Sequence, residues 1–552
     1  MADATTRLDD LVAEAARAHP GRTAITAGAR SLDFATLEAQ VEATAGALRG
    51  LLPEPGAAVA VSSVLDPDFA VAYYAAVRAG LVTAVVNPLL REEGLLHVLS
   101  LCEARVALVD AGLYARLLPL RKKLPHLRHI VLIGPAAGPA SASASASASA
   151  SASASASVDT DPDPAPPVRT LAELVGAADG AAPADPAARP GPDDVACVQF
   201  TSGTTGLPKG VRLTHRNVTT NAAQVAEAHL LDSGSVAVNH LPTYHPMHLN
   251  SAVRAGATQV LCLAPDPVDA VHEANRSGAT HLYSLPVRLA RLATAPVPDG
   301  LELTSVRYVA SGGSALAPAA ARALTERFGV PVFQGYGLAE TSPLTHSDDP
   351  RSPAHGSVGR PVRDTECRIV DTESWSVLPQ GATGEVQLRG PQVMKGYIGR
   401  PDGSETDANG WFTTGDVGRI DESGRLFVVD RLRDVFKCDN FLVAPSEIEQ
   451  VAARHPRVRE VVVVGLPDER HGAVAAALVV LTAEGRADAD ATVGDLVSYV
   501  SARVPYYQHV HHVELVDAIE RSGNGKIQRR LLRDDLVARL AATPAHKEAV
   551  AP

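Results

Sequence analysis

Between Gln199 and Asn217 the sequence reads QFTSGTTGLPKGVRLTHRN, placing three glycines, four threonines, a serine and a lysine in one short stretch. Such a stretch offers hydroxyls, backbone N–H groups little shielded by side chains and one fixed positive charge, which is what a phosphate chain needs around it. A Walker loop has the same ingredients in another order: here Lys209 is followed by Gly210 rather than Ser or Thr. A plain glycine-rich connector would need neither the hydroxyls nor the lysine. The apolar VACVQF precedes the stretch, and THRNVTTNAAQVAEAHLL beyond it has helical spacing with Thr214 as N-cap. The loop is therefore expected to join a strand to a helix.

The elements that must hold such a loop follow from the rest of the chain. With 552 residues, 46% hydrophobic and 20% charged, the chain is long enough for more than one buried core. Helices and short apolar strands alternate, as in AAVAVSSV (57–64), DFAVAYYAAVRAG and LVTAVVN (81–87), which predicts α/β layers. The net charge of -12 argues against duplex nucleic acid as a main partner. The N-terminal MADATTRLDDLVAEAARAHPG is acidic and amphipathic, a surface helix rather than a secretory signal. Cys102, Cys197, Cys262, Cys367 and Cys438 include no CxxC pair, which suits a reducing cytoplasm. No run approaches the roughly 20 apolar residues that span a bilayer. Residues 134–167 form a low-complexity segment, Pro-rich at both ends with a Ser-Ala alternation from Ala140 to Ser157, and are expected to be a mobile surface loop. A second Pro/Ala/Gly/Asp stretch, Gly176 to Asp194, leads into VACVQF.

FTSGTTGLPKG resembles the phosphate loop of the adenylate-forming superfamily, which includes acyl-CoA synthetases, aryl-CoA ligases, luciferases and peptide-synthetase adenylation domains. Further matches follow in the family's order. GYGLAETSP (335–343) is similar to the adenine and magnesium motif, TTGDVGRID (413–421) to the ribose motif, DRLRDVFKCDNFLVAPSEIE (430–449) to the interdomain hinge, and RSGNGKIQRRLL (521–532) to the C-terminal catalytic loop. SGGSALAP and GEVQLRGPQVMKGY are weaker flanking matches. The pattern is closest to acyl-CoA ligases and covers nearly the whole chain. It implies a large N-terminal domain of layered α/β subdomains followed by a small mobile α+β C-terminal domain.

Each match also has a chemical reading beside a plainer one. Tyr336, between Gly335 and Gly337, can stack on a base while the backbone comes close; alone it would be a core tyrosine beside a turn. Glu340 offers a hard oxygen ligand to Mg²⁺ and Thr341 a hydroxyl to phosphate, although a single glutamate is more often a solvated surface acid. Asp416 suits the ribose hydroxyls, or is a turn residue. Arg431 offers donors to ribose or phosphate, or forms an ion pair. Lys526 sits in the glycine-rich SGNGK, which can carry a cation into a closed site; without the pattern it would be an exposed lysine after a turn.

The resemblance implies a two-step reaction with ATP, Mg²⁺ and coenzyme A. A carboxylic acid attacks the α-phosphate to give an acyl-adenylate and pyrophosphate, and a thiol then attacks the activated carbonyl. Thr201, Ser202, Gly203, Thr204, Thr205 and Lys209 would hold the departing pyrophosphate, and Lys526 would bridge the charge on the α-phosphate and carboxylate. His245 takes the place of the family's pocket histidine, whereas His248 has no counterpart and is read as a surface or packing residue. Neither histidine has a third ligand at metal spacing. The hinge falls at Arg433, so the chain divides near residue 432 into 1–432 and 433–552. Lys437, Asn440 and Phe441 would line the coenzyme A tunnel.

Two departures from the family bear on function. The segment LPTYHPMHLNSAVRAGATQVL is about one helical turn shorter than usual, which would reshape the acyl pocket and hints at a bulky or ring-containing acid. Asn440 replaces a glycine at the tunnel, and asparagine is the non-glycine residue best able to keep a left-handed turn. The leading expectation is an ATP-dependent acyl- or aryl-CoA ligase. Behind it stand an adenylation enzyme that loads a carrier protein, an enzyme restricted to thioester formation from a preformed adenylate, and last a non-enzymatic nucleotide sensor. Because the Ser-Ala tract has little to bury and lies away from every motif, deleting residues 140–157 is expected to leave activity and thermal midpoint almost unchanged. A large fall in either would show that the tract packs against something.

Overall fold

The run AAVAVSSV yields the strand Ala58–Ser62, and the apolar stretch after it yields the helix Pro67–Arg78, in which every residue but Asp68 is buried. A helix with no polar face needs apolar neighbours on all sides. The computed structural model describes residues 7–63, 66–134, 169–177, 189–201, 207–241, 246–296, 298, 300–439, 441–521 and 527–542, so the Ser-Ala tract lies outside the described residues. They fall into two compact units, Met1–Glu366 with Leu388–Phe412, and Cys367–Gln387 with Thr413–Pro552.

The larger unit holds two sheets. One has eight strands in the order Gly396–Tyr397, Lys209–Thr214, Val195–Thr201, Val82–Val85, Ala58–Ser62, Val106–Val109, His129–Leu132 and Arg169–Thr170, parallel except at the end that carries the glycine-rich loop. The other has nine, parallel through Val332–Gly337, Tyr308–Ser311, His281–Ser284, Val236–His240, Thr258–Leu261 and Thr23–Ala27, with antiparallel strands at both edges. One core cluster joins Val59, Cys197 and Val211 of the first sheet to Ile25 and Leu261 of the second through helices Phe34–Leu51 and Pro67–Arg78. Alternate strand residues, such as Ala60 and Ala107 in one sheet and Val238 and Val260 in the other, face separate cores under the outer helices. These are the α/β layers expected from the alternation of elements.

The N-terminal helix is Asp10–Ala18, which buries Leu11, Val12 and Ala15. Just before it, fully buried Asp9 accepts from Arg7 at 2.9 Å, Arg78 at 2.7 Å and Arg189 at 2.6 Å. Burial alone would raise the Asp9 carboxyl, but the three guanidinium groups outweigh it and hold its pKa below the usual value.

The smaller unit contains a four-stranded sheet and a second sheet built on the long hairpin Val458–Asp468 and Gly472–Leu481. Both faces of that hairpin are apolar. Val461, Val463, Ala475 and Ala477 face the core under helices Pro445–Ala452 and Ala489–Ser501, while Val462, Val464, Ala476 and Leu478 pack against Leu536 of helix Arg529–Ala542. Among the described residues no helix is long and apolar enough to cross a membrane.

One expectation is corrected. The glycine-rich loop joins two antiparallel strands rather than a strand and a helix, with Thr201 opposite Lys209. In VRLT the apolar Val211 and Leu213 alternate with Arg212, a strand period too short to stand out in the sequence. The expected helix follows as His215–Ala228, and Thr214 caps it through a capping box with Asn217.

Burial in the larger unit also lowers the pKa of several imidazoles: His215 and His240 to about 4, His346 to about 3, and His229 and His281 below the usual value. The unfolded chain therefore binds more protons than the folded one once the pH drops below about 6.5. The stability held by neutral imidazoles is present above that pH and lost as it falls toward 4. The denaturant midpoint of the larger unit is expected to fall steeply between pH 7.5 and pH 5, with net proton uptake on unfolding. A flat profile over that range would show that these imidazoles titrate normally.

Candidate active site

The hairpin Val195–Thr201 and Lys209–Thr214 brings Thr201 and Lys209 to the mouth of the glycine-rich loop, whose Ser202, Gly203, Thr204 and Thr205 lie outside the described residues. The short strand Gly396–Tyr397 pairs with the outer side of Lys209–Thr214. A Cβ at Gly210 would lie 2.6 Å from the terminal methyl of Ile398, which would then have to turn aside. The Lys209 ammonium rests 4.8 Å from the centroid of the Tyr397 ring, a cation–π contact. The Tyr397 hydroxyl donates to Glu340 Oε1 at 2.8 Å. Burial first, then the Glu340 charge, raises the Tyr397 pKa well above normal, so the phenol remains a donor. Glu340 is half-buried in the turn Ala339–Thr341, and its carbonyl accepts from Met394 N at 2.8 Å.

Tyr336, on the strand Val332–Gly337, is half-buried rather than a core residue and lies across from His346, with ring centroids 6.0 Å apart. Its flanking glycines have a structural cause. A Cβ at Gly337 would come within 1.8 Å of Pro343 O, and one at Gly335 within 2.8 Å of Leu344. The Thr341 hydroxyl is buried within its own turn, accepting from Leu338 N and donating to Pro343 O at 2.5 Å.

These turns are held by a face of helix His215–Ala228 that carries buried amides. Asn217 donates to Pro391 O at 2.8 Å and Val393 O at 3.0 Å, Asn221 brackets Leu344 by donating to its carbonyl at 2.7 Å and accepting from its N–H, and Gln224 donates to Arg363 O at 2.6 Å. Ser342 adds a bond to Gln392 O at 2.9 Å. His245 lies outside the described residues, while His248 is a packing residue, buried with its ring 4.0 Å from that of Tyr283.

In the smaller unit, Asp416 faces Arg431 across the strand pair Phe412–Ile420 and Leu426–Arg431, with Nε 2.8 Å from Oδ1. Asp416 is 2% exposed and Arg431 44% exposed, so the ion-pair reading describes the present geometry while the guanidinium stays open to a ligand. Gly415 N donates to Glu385 at 3.2 Å, and burial, then backed by the Asp416 charge, raises the Glu385 pKa. Arg433 is half-exposed beside Asp434. Asp430 accepts from Ser446 N at 3.0 Å, and Arg529 bonds Glu449 at 2.6 Å, which fixes the chain on either side of the expected hinge and after the expected catalytic loop. Lys526 lies outside the described residues, but the ends of its loop meet in the bridge Arg521↔Ile527. Lys437 pairs with Glu373, and Phe441 stacks on Tyr507 with centroids 4.5 Å apart. Asn440 lies outside the described residues.

Tyr397 had no assigned role in the sequence, although GEVQLRGPQVMKGY ends on it. Asn217, Asn221 and Gln224 carried a signal that was overlooked: three amides at helical spacing on what becomes a buried face.

Residues 12–398 match the AMP-binding enzyme family and residues 447–526 its AMP-binding enzyme C-terminal domain. The chain is 36% identical to 4-coumarate--CoA ligase 2 of Oryza sativa subsp. japonica over 63% of this chain and 63% of that protein, just under two thirds of the relative's length. It is 30% identical to 4-coumarate--CoA ligase 5 of the same organism over 97% of this chain and 95% of the relative. Among solved structures, an anthranilate CoA ligase in complex with anthranoyl-AMP shares the fold, with TM-score 0.82 and 23% identity over 98% of both chains. ATP-bound MatB from Rhodopseudomonas palustris superposes with TM-score 0.80 and 25% identity over 96% of this chain and 99% of that one.

The amide face yields a direct test. Asn221→Leu keeps the branching and number of side-chain heavy atoms and raises helix propensity, but leaves the Leu344 N–H and C=O without their side-chain partners. The cost expected is about 2 kcal/mol or more, read as a lowered denaturation midpoint of the larger unit. An unchanged midpoint would mean that these bonds do not hold the 338–344 turn.

Proposed function

We propose that this chain, which belongs to the AMP-binding enzyme family, is an ATP-dependent aryl-CoA ligase that activates an aromatic carboxylic acid as its adenylate and transfers it to coenzyme A. The observation that carries this reading is the meeting of Lys209 and Tyr397, on two paired strands, with Glu340 of the turn Ala339–Thr341. A phosphate-binding cation and a hard carboxylate are held by one phenol without neutralising each other. The names of the relatives, 4-coumarate--CoA ligases, support the aromatic acid, as does the shortened segment 241–261.

Glu340 fits a magnesium ion: its carboxylate is fixed by Tyr397 and is an oxygen donor of the kind Mg²⁺ takes. When bound, the ion would supply positive charge against the phosphates. Lys209 and the hydroxyls of Thr201, Ser202, Thr204 and Thr205 bind the leaving pyrophosphate. Tyr336 stacks on the adenine, Asp416 and Arg431 take the ribose, and Lys526 neutralises charge at the α-phosphate. Lys437, Asn440 and Phe441 guide the pantetheine arm, and Arg433 is the hinge residue. The free thiols of all five cysteines suit a reducing cytoplasm.

Half-reactions test the assignment. With ATP and a panel of aromatic acids but no coenzyme A, the protein is expected to release pyrophosphate; with coenzyme A added it forms the thioester. Lys526→Ala is expected to lower the first step by a factor of roughly 100 or more. It should leave the conversion of a supplied acyl-adenylate and coenzyme A near normal. Equal damage to both steps would refute the role of Lys526, and adenylate conversion without any pyrophosphate release by the unaltered protein would restrict the enzyme to thioester formation.

A further inference from the structure

At the tips of two hairpins in the smaller unit lie three side chains that the reaction does not require for acid activation. Cys438 ends the strand Phe436–Cys438 and pairs with Gly472, at the start of Gly472–Leu481. Asp439 follows in a left-handed conformation, φ 49°, and its N–H donates to His471 O at 3.0 Å. The His471 Nδ1–H donates to Asp439 Oδ1 at 2.9 Å. Asp468 in turn accepts from His471 N at 2.8 Å and Arg470 N at 2.9 Å, which fixes the backbone of the second tip. The Cys438 sulfur, an Asp439 oxygen and a His471 nitrogen all lie within 4.8 Å of one another.

We propose that Cys438, Asp439 and His471 form a binding site for a thiophilic divalent cation of the zinc type. A sulfur, an imidazole nitrogen and a carboxylate oxygen form a donor set for zinc or cobalt; magnesium and calcium take oxygen alone. Tetrahedral bonds of about 2.0–2.3 Å separate ligand atoms by about 3.5 Å, so a small inward turn of these side chains closes the site. Binding displaces the thiol proton to solvent and moves the imidazole proton from Nδ1 to Nε2, leaving Nδ1 to the cation. Three protein ligands leave a fourth position open to water or an incoming thiol. The cation ties the hairpin tip before Phe441 to the tip 469–471. This assignment rests on the side-chain geometry and stands whether or not the chain is a CoA ligase.

The full-length protein, stripped with a chelator, is titrated with Co²⁺ and followed by absorption. A saturable thiolate-to-cobalt band with tetrahedral visible bands is expected, displaced by Zn²⁺ and not by excess Mg²⁺. Cys438→Ser is expected to abolish the thiolate band, and His471→Ala to weaken Co²⁺ binding at least about tenfold. The His471 side chain is 36% exposed, so its replacement leaves the core intact and carries the test even if Cys438→Ser does not fold. Absence of a saturable band, or binding that survives His471→Ala unchanged, would overturn the proposal and leave the three residues as a hydrogen-bonded pair beside a packed thiol.

Discussion

The larger unit depends on the buried amide face of one helix. Asn217, Asn221 and Gln224 lie one turn apart on His215–Ala228 and end on main-chain groups at 391, 393, 344 and 363, segments far away in sequence. Buried main-chain groups in irregular turns must find partners, and a turn that supplies none from itself takes them from a neighbour. An amide can donate and accept at once, so Asn221 serves both the N–H and the C=O of Leu344. The loops bearing Glu340 and Tyr397 are thereby fixed to the same helix that Thr214 caps, directly after the hairpin Val195–Thr201 and Lys209–Thr214.

That arrangement explains how opposite charges stay available to a ligand. Lys209 and Glu340 placed in direct contact would form an ion pair that a nucleotide had to break. The Tyr397 ring receives the ammonium on its face while its hydroxyl engages the carboxylate, so each charge is positioned without being neutralised. Gly210 leaves room for the Ile398 side chain that follows the Tyr397 strand, since a Cβ there would come within 2.6 Å of its terminal methyl.

The legibility of the sequence followed the range of the interaction. Short-range signals are readable: the Thr214 cap and the alternation of strands and helices are local patterns, and each forms as expected. Interactions between distant segments are not. The second hairpin strand reads in sequence as part of the loop before the Thr214 cap, because so short an alternation as VRL does not stand out beside a glycine-rich stretch. Gly335 and Gly337 read in sequence as room for close approach to a base; the structure adds a reason within the protein, since a Cβ at either position would meet Pro343 O or the Leu344 side chain. Tyr397 stood in a quoted motif without a role, because its partners lie 57 and 188 residues away in the chain.

The smaller unit follows the same logic with apolar rather than polar means. Its long hairpin is hydrophobic on both faces, so helices must cover each side and the strands cannot slip by one residue without exchanging two cores. Rigid register fixes where the strand ends fall. The turn 469–471, the partner tip at Asp439 and the bridge Arg521↔Ile527 that closes the Lys526 loop are all tied to that register, through Cys438↔Gly472 and through Leu536 and Ile527 against the outer face. Residues with chemistry to perform thus sit on short loops whose ends are set by a packed sheet, so a core substitution that shifts the hairpin would move Cys438 and the Lys526 loop together.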